Sequence, residues 1–209
     1  MHHVRLGNSG LKVSRLCLGA MTFGEHAEGF MAGVSTHEEE SRKVMDAALD
    51  AGINFIDTAD IYSFGISEEI VGRWMADKRL KIVVATKCGF PMGKAPNDGG
   101  LSRRHIVEAC EASLRRLKTD FIDLYQVHFE DRNVPLEETL AALDSLVTSG
   151  KVRYLGASNH TAYRLTKSLM LQRANGWAPY VCLQPQYSLV VRHIDREILP
   201  LCVAEGLGV

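Results

Sequence analysis

Four side chains in this 209-residue chain are of types that can together move a proton: a carboxylate at Asp57, a phenol at Tyr62, an amine at Lys87 and an imidazole at His128. Three of them close short apolar runs, in "NFID", "KIVVATK" and "FIDLYQVH", and Tyr62 follows the first run by five residues. A lysine at the end of a buried strand is desolvated, which disfavours its charge unless a carboxylate lies beside it. Asp57, ending the neighbouring run, is the expected partner. An ammonium held there would stabilise the phenolate of Tyr62 and draw its pKa from about 10 toward neutrality, where a proton donor works best. Taken singly, Asp57 reads as well as a turn or cap residue, Lys87 as a surface lysine, Tyr62 as a loop aromatic and His128 as a strand-end histidine. Their joint placement at successive strand ends favours a general-acid site.

Other chemistries have less behind them. The glycine-rich stretch Pro91 to Gly100, "PMGKAPNDGG", lacks the spacing and the Ser/Thr of a phosphate loop, and no G-x-G-x-x-G follows a strand. "THEEE" (Thr36 to Glu40) sits at a helix start and reads as a solvated face, and no H-x-x-x-H pair with a third ligand suggests a metal. There is no G-x-S-x-G elbow. Five scattered cysteines, mostly in apolar runs, read as reduced packing thiols. A formal charge of −1 and interspersed acids and bases argue against nucleic acid or an anionic membrane as partner. The apolar runs are far shorter than the roughly 18 residues a membrane span needs, and the first ten residues lack a signal core, so a cytoplasmic location is expected.

The elements that must position these groups alternate in type. Strand-like runs "SRLCLGAM", "NFIDTA", "KIVVATK", "FIDLYQVHF", "VRYLGASN" and "YVCLQPQYSL" are separated by amphipathic segments, the pattern of parallel βα units. A glycine turn at "GNSG" predicts a hairpin ahead of them. Thr36 with Glu39 suggests a capping box, with Val44, Ala48 and Ala51 as the buried face of the first helix. Ile106, Cys110, Leu114 and Leu117, and then Leu136, Leu140, Leu143 and Val147, repeat the helical spacing. An open doubly wound sheet fits this alternation as well as a barrel does. The strand ends decide between them: Asp57, Lys87, His128, Ser158 with Asn159, and Gln184 fall at the C-terminal edges of successive strands, which converge on one mouth only in a (β/α)₈ TIM barrel. The expectation is a single α/β barrel domain over residues 1–209 with six βα units, the last two units lacking and Val209 opening the seventh strand. Such a barrel would expose sheet edges that a partner, including a second copy in a homo-oligomer, would cover.

The motifs that carry these residues resemble the aldo-keto reductase superfamily over essentially the whole chain. "LGNSGLKVSRLCLGAMTFG" is similar to the family's hairpin and first strand, and "GINFIDTADIYSFGISEEIVG" to its D-T-A-x-x-Y…G-x-S-E signature. "VVATK", "DLYQVHFED", "GKVRYLGASN" and "LQPQYSL" follow in family order. The insertion "GFPMGKAPNDGGLSRRHI" resembles the bacterial and fungal branch that holds aryl-alcohol dehydrogenase-like enzymes and deoxysugar ketoreductases.

The resemblance implies a catalytic tetrad of Asp57, Tyr62, Lys87 and His128, with Tyr62 protonating a carbonyl oxygen and His128 orienting it. It further implies an NADPH/NADP+ cofactor whose carboxamide meets Ser158, Asn159 and Gln184, with Met21, Thr22 and Asp57 nearby, and a small-molecule aldehyde or ketone as substrate. The family's stacking aromatic from the seventh strand and its phosphate-binding residues after the eighth are not in this sequence. Two other readings stand beside the reductase: a cofactor-binding regulatory protein resembling potassium-channel β subunits, and an inactive truncated form.

Overall fold

A computed structural model describes residues 1–24 and 33–209. The chain opens with an antiparallel hairpin of β1 (His3–Arg5) and β2 (Lys12–Ser14), in the register His3 opposite Ser14. Six parallel strands follow in sheet order identical to chain order: β3 (Leu18–Gly19), β4 (Phe55–Asp57), β5 (Val83–Cys88), β6 (Ile122–Val127), β7 (Val152–Ser158) and β8 (Tyr180–Gln184). Between and after them run α1 (Glu38–Asp50), α2 (Ile66–Met75), α3 (Arg103–Leu117), α4 (Leu136–Thr148), α5 (Ala162–Asn175) and α6 (Ile198–Glu205). The fold is thus α/β, with an N-terminal hairpin and a curled parallel sheet of barrel type.

Curling is required by a contact. Gln184 Nε2 on β8 lies 3.2 Å from Asp57 Oδ2 on β4, whereas four steps across a flat sheet at about 4.8 Å each would separate the strands by about 19 Å. Side chains alternating outward from the strands, among them Ile56, Val84, Tyr125, Val127, Leu155 and Leu183, join Met45, Trp74, Ile106, Leu140 and Leu143 of the helices in one buried core. Side chains of the other parity, Ala85, Leu124 and Cys182 with Phe55 and Tyr154, form a separate cluster on the concave face. The hairpin closes the N-terminal end of that face, through Ser14 N to Asn54 Oδ1 at 2.8 Å and Asn8 N to Gly206 O at 2.8 Å.

Some sequence expectations are corrected. Helix α1 starts after His37, with Ser41 Oγ donating back to the carbonyls of Thr36 and His37 at 3.0 and 2.9 Å. Its buried positions are Ser41 and Met45, while Val44 is 42% exposed because it lies one residue off that stripe. Strand β8 stops at Gln184, before Pro185, which has no N–H to continue a ladder. Gly208 pairs in parallel with Cys182, through Leu183 N to Gly208 O at 2.9 Å and Gly208 N to Val181 O at 3.0 Å. Strand pairing therefore resumes where the apolar pattern places a seventh strand. Among the described residues no helix is long and apolar enough to cross a membrane, and the cysteines are free, with Cys88, Cys110, Cys182 and Cys202 buried.

Candidate active site

Alternation along the strands decides which side chains meet. Asp57 shares the concave parity with Phe55, Lys87 with Ala85, Gln126 with Leu124, Ser158 with Tyr154 and Gln184 with Cys182. All five are thereby brought to the C-terminal rim of one curled face, with His128 one residue past β6.

The Asp57 carboxylate is the hub. Its Oδ2 accepts from Lys87 Nζ at 2.6 Å and from Gln184 Nε2 at 3.2 Å, and its Oδ1 accepts from Gln126 Nε2 at 3.2 Å. Lys87 is 1% exposed. An ammonium has three protons to place, and each has an acceptor here: Asp57 Oδ2, the Thr58 carbonyl at 3.0 Å and the Tyr62 hydroxyl at 3.3 Å. Burial of this charge is thus matched by full hydrogen bonding, the condition under which a buried ion pair is tolerated.

Tyr62 begins a 3₁₀ turn, Tyr62–Gly65, that returns the chain to the rim. Burial pushes its hydroxyl above the ordinary tyrosine value, and the attraction of Lys87 only partly offsets this. The sequence-based expectation that Lys87 draws the phenol toward neutrality is therefore corrected: desolvation of the phenolate is the larger effect. His128 packs edge-on to Tyr62, ring centroids 5.8 Å apart, and to Phe90 at 4.7 Å. Burial, reinforced by the Lys87 charge, lowers its pKa to about 4, so the imidazole is neutral at neutral pH. Its Nδ1 has no hydrogen-bond partner among the described residues.

Ser158, Asn159 and Gln184 form a second group beside the first. Ser158 Oγ donates to the Gln184 carbonyl at 2.7 Å, and Asn159 Nδ2 donates to Ser158 Oγ and to the His128 carbonyl, both at 3.1 Å. Asn159 has φ of 52°, a left-handed conformation that asparagine adopts more readily than most residues. These three residues, together with Tyr62, Lys87 and His128, line one open cleft of about 200 Å³. A hydroxyl and two carboxamides bordering the space next to a phenol and an imidazole fit a carboxamide-bearing ring such as nicotinamide.

Asp57 itself lies behind Lys87 and does not line the cleft, and Met21 and Thr22, in the turn after β3, are also outside its lining. Two buried polar residues near the site have no place in the sequence reading. Gln126 was detectable, since it stands two residues before His128 and so shares its face. Asp60 is fully buried, neither carboxyl oxygen has a hydrogen-bond partner among the described residues, and nothing in its sequence context distinguishes it from a turn residue. The "THEEE" acids behave as read: Glu38 pairs with Arg73 and Arg42, and Glu39 with Lys43, at the surface.

The family model described as "Aldo/keto reductase family" matches residues 15–209. The oxidoreductase YrpG of Bacillus subtilis is 42% identical over 221 residues, covering 100% of this chain and 65% of its own length. Versiconal hemiacetal acetate reductase of Aspergillus parasiticus is 40% identical over 228 residues, with 100% and 65% covered. A probable voltage-gated potassium channel subunit beta of Oryza sativa subsp. japonica is 38% identical over 213 residues, with 100% and 62% covered. The chain thus spans less than two thirds of the length of these relatives.

Proposed function

Because this chain belongs to the aldo/keto reductase family, we propose that it carries the proton-donating and nicotinamide-positioning part of an NADPH-dependent carbonyl reductase. The observation that supports this reading is the continuous hydrogen-bonded line from Asp57 through Lys87 to Tyr62, ending at the cleft.

When bound, the reduced nicotinamide supplies a hydride to the carbonyl carbon of an aldehyde or ketone. Tyr62, protonated at neutral pH as an ordinary tyrosine is and held more firmly so by burial, gives its hydroxyl proton to the carbonyl oxygen. Lys87 stabilises the phenolate as it forms, and Asp57 keeps the ammonium in place. Neutral His128 donates a hydrogen bond from the ring to the same oxygen and fixes its direction. Ser158, Asn159 and Gln184 hold the carboxamide, which selects the ring face turned to the substrate. The relatives named as reductases support the reaction class.

The test is loss of NADPH absorbance with an aromatic aldehyde such as 4-nitrobenzaldehyde, comparing the protein with Tyr62→Phe. A fall in kcat of at least about 10²-fold is expected for loss of a general acid. An unchanged rate would overturn the assignment.

A second reading, a cofactor-binding regulatory protein, is favoured by the relatives named as potassium channel β subunits, at 38% and 36% identity. NADPH binding without turnover, with a membrane protein recovered stoichiometrically alongside, would select it.

A further inference from the structure

The turn that carries Tyr62 is built from three consecutive left-handed residues: Ser63 (φ 49°, ψ 35°), Phe64 (φ 48°, ψ 45°) and Gly65 (φ 96°). Glycine adopts this region freely, but residues with a Cβ do so at a cost, and the conformation persists only where surrounding structure imposes it. The Phe64 ring supplies little of that restraint, being 71% exposed. The restraint comes from its neighbours. Ser63 is buried, and its Oγ donates to the Phe23 carbonyl at 2.9 Å. At Gly65 the absent Cβ makes room for the Arg116 side chain, whose Cδ would lie 2.6 Å from it. Gly24 is shaped to receive Ser63: a Cβ there would sit 2.4 Å from Ser63 Oγ.

We propose that Ser63 is a positioning residue for Tyr62, its hydroxyl locking the strained turn to Phe23 so that the Tyr62 hydroxyl is held against Lys87. The Phe23 end of the bond is itself fixed. Phe23 bridges in parallel to Thr36, Gly24 N donates to Thr36 O at 3.0 Å, and Thr36 N donates to Thr22 O at 2.7 Å. Ser63 therefore joins the segment after the first parallel strand to the proton donor, and movement of either is transmitted to the other. The strain gives the lock its purpose: without it, the turn relaxes to negative φ and carries Tyr62 away from Lys87.

The functional side of this proposal rests on the reading of Tyr62 as the acid, but its test does not need turnover. Tyrosine labelled with ¹³C at Cζ is incorporated, the Tyr62 signal is assigned by its loss in Tyr62→Phe, and the signal is titrated between pH 8 and 11.5. The parent protein is expected to show a Tyr62 midpoint above the ordinary value of about 10. Ser63→Ala is expected to move that midpoint down toward about 10, as the ring gains solvent, and to leave the other tyrosine signals in place.

Ser63→Gly, which removes the same hydrogen bond while relieving the left-handed cost, guards against misfolding. It is expected to shift Tyr62 in the same direction, with a higher Tm than Ser63→Ala. A lowered Tm with the Tyr62 midpoint unmoved in both variants would make Ser63 merely structural and overturn the proposal. Unchanged turnover in Tyr62→Phe would instead defeat the functional reading and leave the positioning result standing.

Discussion

Gln184 and Asp57 touch across the concave face at 3.2 Å although three strands lie between theirs in the sheet. With Gln126 and Lys87 also bonded to it, the Asp57 carboxylate ties together β4, β5, β6 and β8 at one rim. Curvature of the sheet and geometry of the site are thus one feature: a change that opens the curl separates the donors from Asp57, and a change at Asp57 weakens the curl.

The Lys87–Asp57 pair supplies the first prediction. Lys87 is buried and Asp57 nearly so, so removing one partner leaves an uncompensated charge, an effect of about 3–5 kcal/mol. Asp57→Ala and Lys87→Met should each lower stability by about that amount, while the double variant should lose much less than the sum. Urea unfolding of the four proteins measures this. Strict additivity would show that the two groups are not coupled.

His128 should be a non-titrating histidine through the neutral range. Its folded pKa of about 4 lies below the ordinary value of 6.5, so the folded state binds fewer protons between those values and stability rises with pH across that window. The contribution is present above about 6.5 and lost as pH falls toward 4, amounting to at most about 3 kcal/mol. Two measurements check it. The His128 imidazole proton should titrate near 4 by NMR, and His128→Gln should flatten the acid limb of stability between pH 4.5 and 6.5. A midpoint near 6.5 would mean that the ring is solvated.

Much of this arrangement is legible in the sequence because it follows from alternation. Runs such as "KIVVATK" declare strands by their apolar, β-branched content, and period two then assigns Lys87 to the face opposite Val84 and Cys88. The polar residue ending each run marks the rim. What the sequence does not carry is competition between long-range effects. Tyr62 has an ammonium 3.3 Å away and still has its pKa raised, because the degree of burial depends on packing by residues distant in sequence. Likewise the contact between Gln184 and Asp57 depends on the curl, which no local pattern encodes, and the left-handed pair Ser63 and Phe64 runs against the preference of both residues. Met21 and Thr22 were reached by resemblance alone, and the cleft as formed does not include them.

Gly156 shows how tightly the concave face is filled. Its φ is not in the left-handed region, so substitution there is a question of space. A Cβ would sit 2.8 Å from Cys182 Sγ and 3.0 Å from Gln126 Cγ. Gln126 is held by Asp57 and cannot retreat without breaking that bond. Gly156→Ala should therefore cost about 1–3 kcal/mol by overpacking and lower turnover by disturbing the Asp57 hub. Adding Cys182→Ala should recover part of the stability, which thermal unfolding would register. An unchanged Tm in the single variant would contradict the packing described.

Asp60 makes the most pH-sensitive demand on the fold. It is fully buried, and by distance and angle neither carboxyl oxygen has a well-formed hydrogen bond among the described residues, so burial, with the nearby Glu68 carboxylate, raises its pKa from 3.8 to about 8. The Ile61 amide, Arg116 and Lys87 oppose this and are outweighed. The Glu68 carboxyl is engaged by Arg116 Nε at 2.6 Å and by the Thr86 hydroxyl at 2.5 Å, and no hydrogen bond joins it to Asp60 among the described residues. Between about pH 4 and 8 the unfolded chain has Asp60 ionised while the folded protein keeps it protonated. The folded state then binds more protons, and stability falls as pH rises through that window and levels off above it. Asp60→Asn has no such titration. Its stability relative to the parent should improve steadily from pH 4.5 to 8, by about 1 kcal/mol or more, and then stay constant. Chemical unfolding of both proteins across that range checks the slope. A difference independent of pH would show that Asp60 is ionised in the folded protein, with water or another donor satisfying its oxygens.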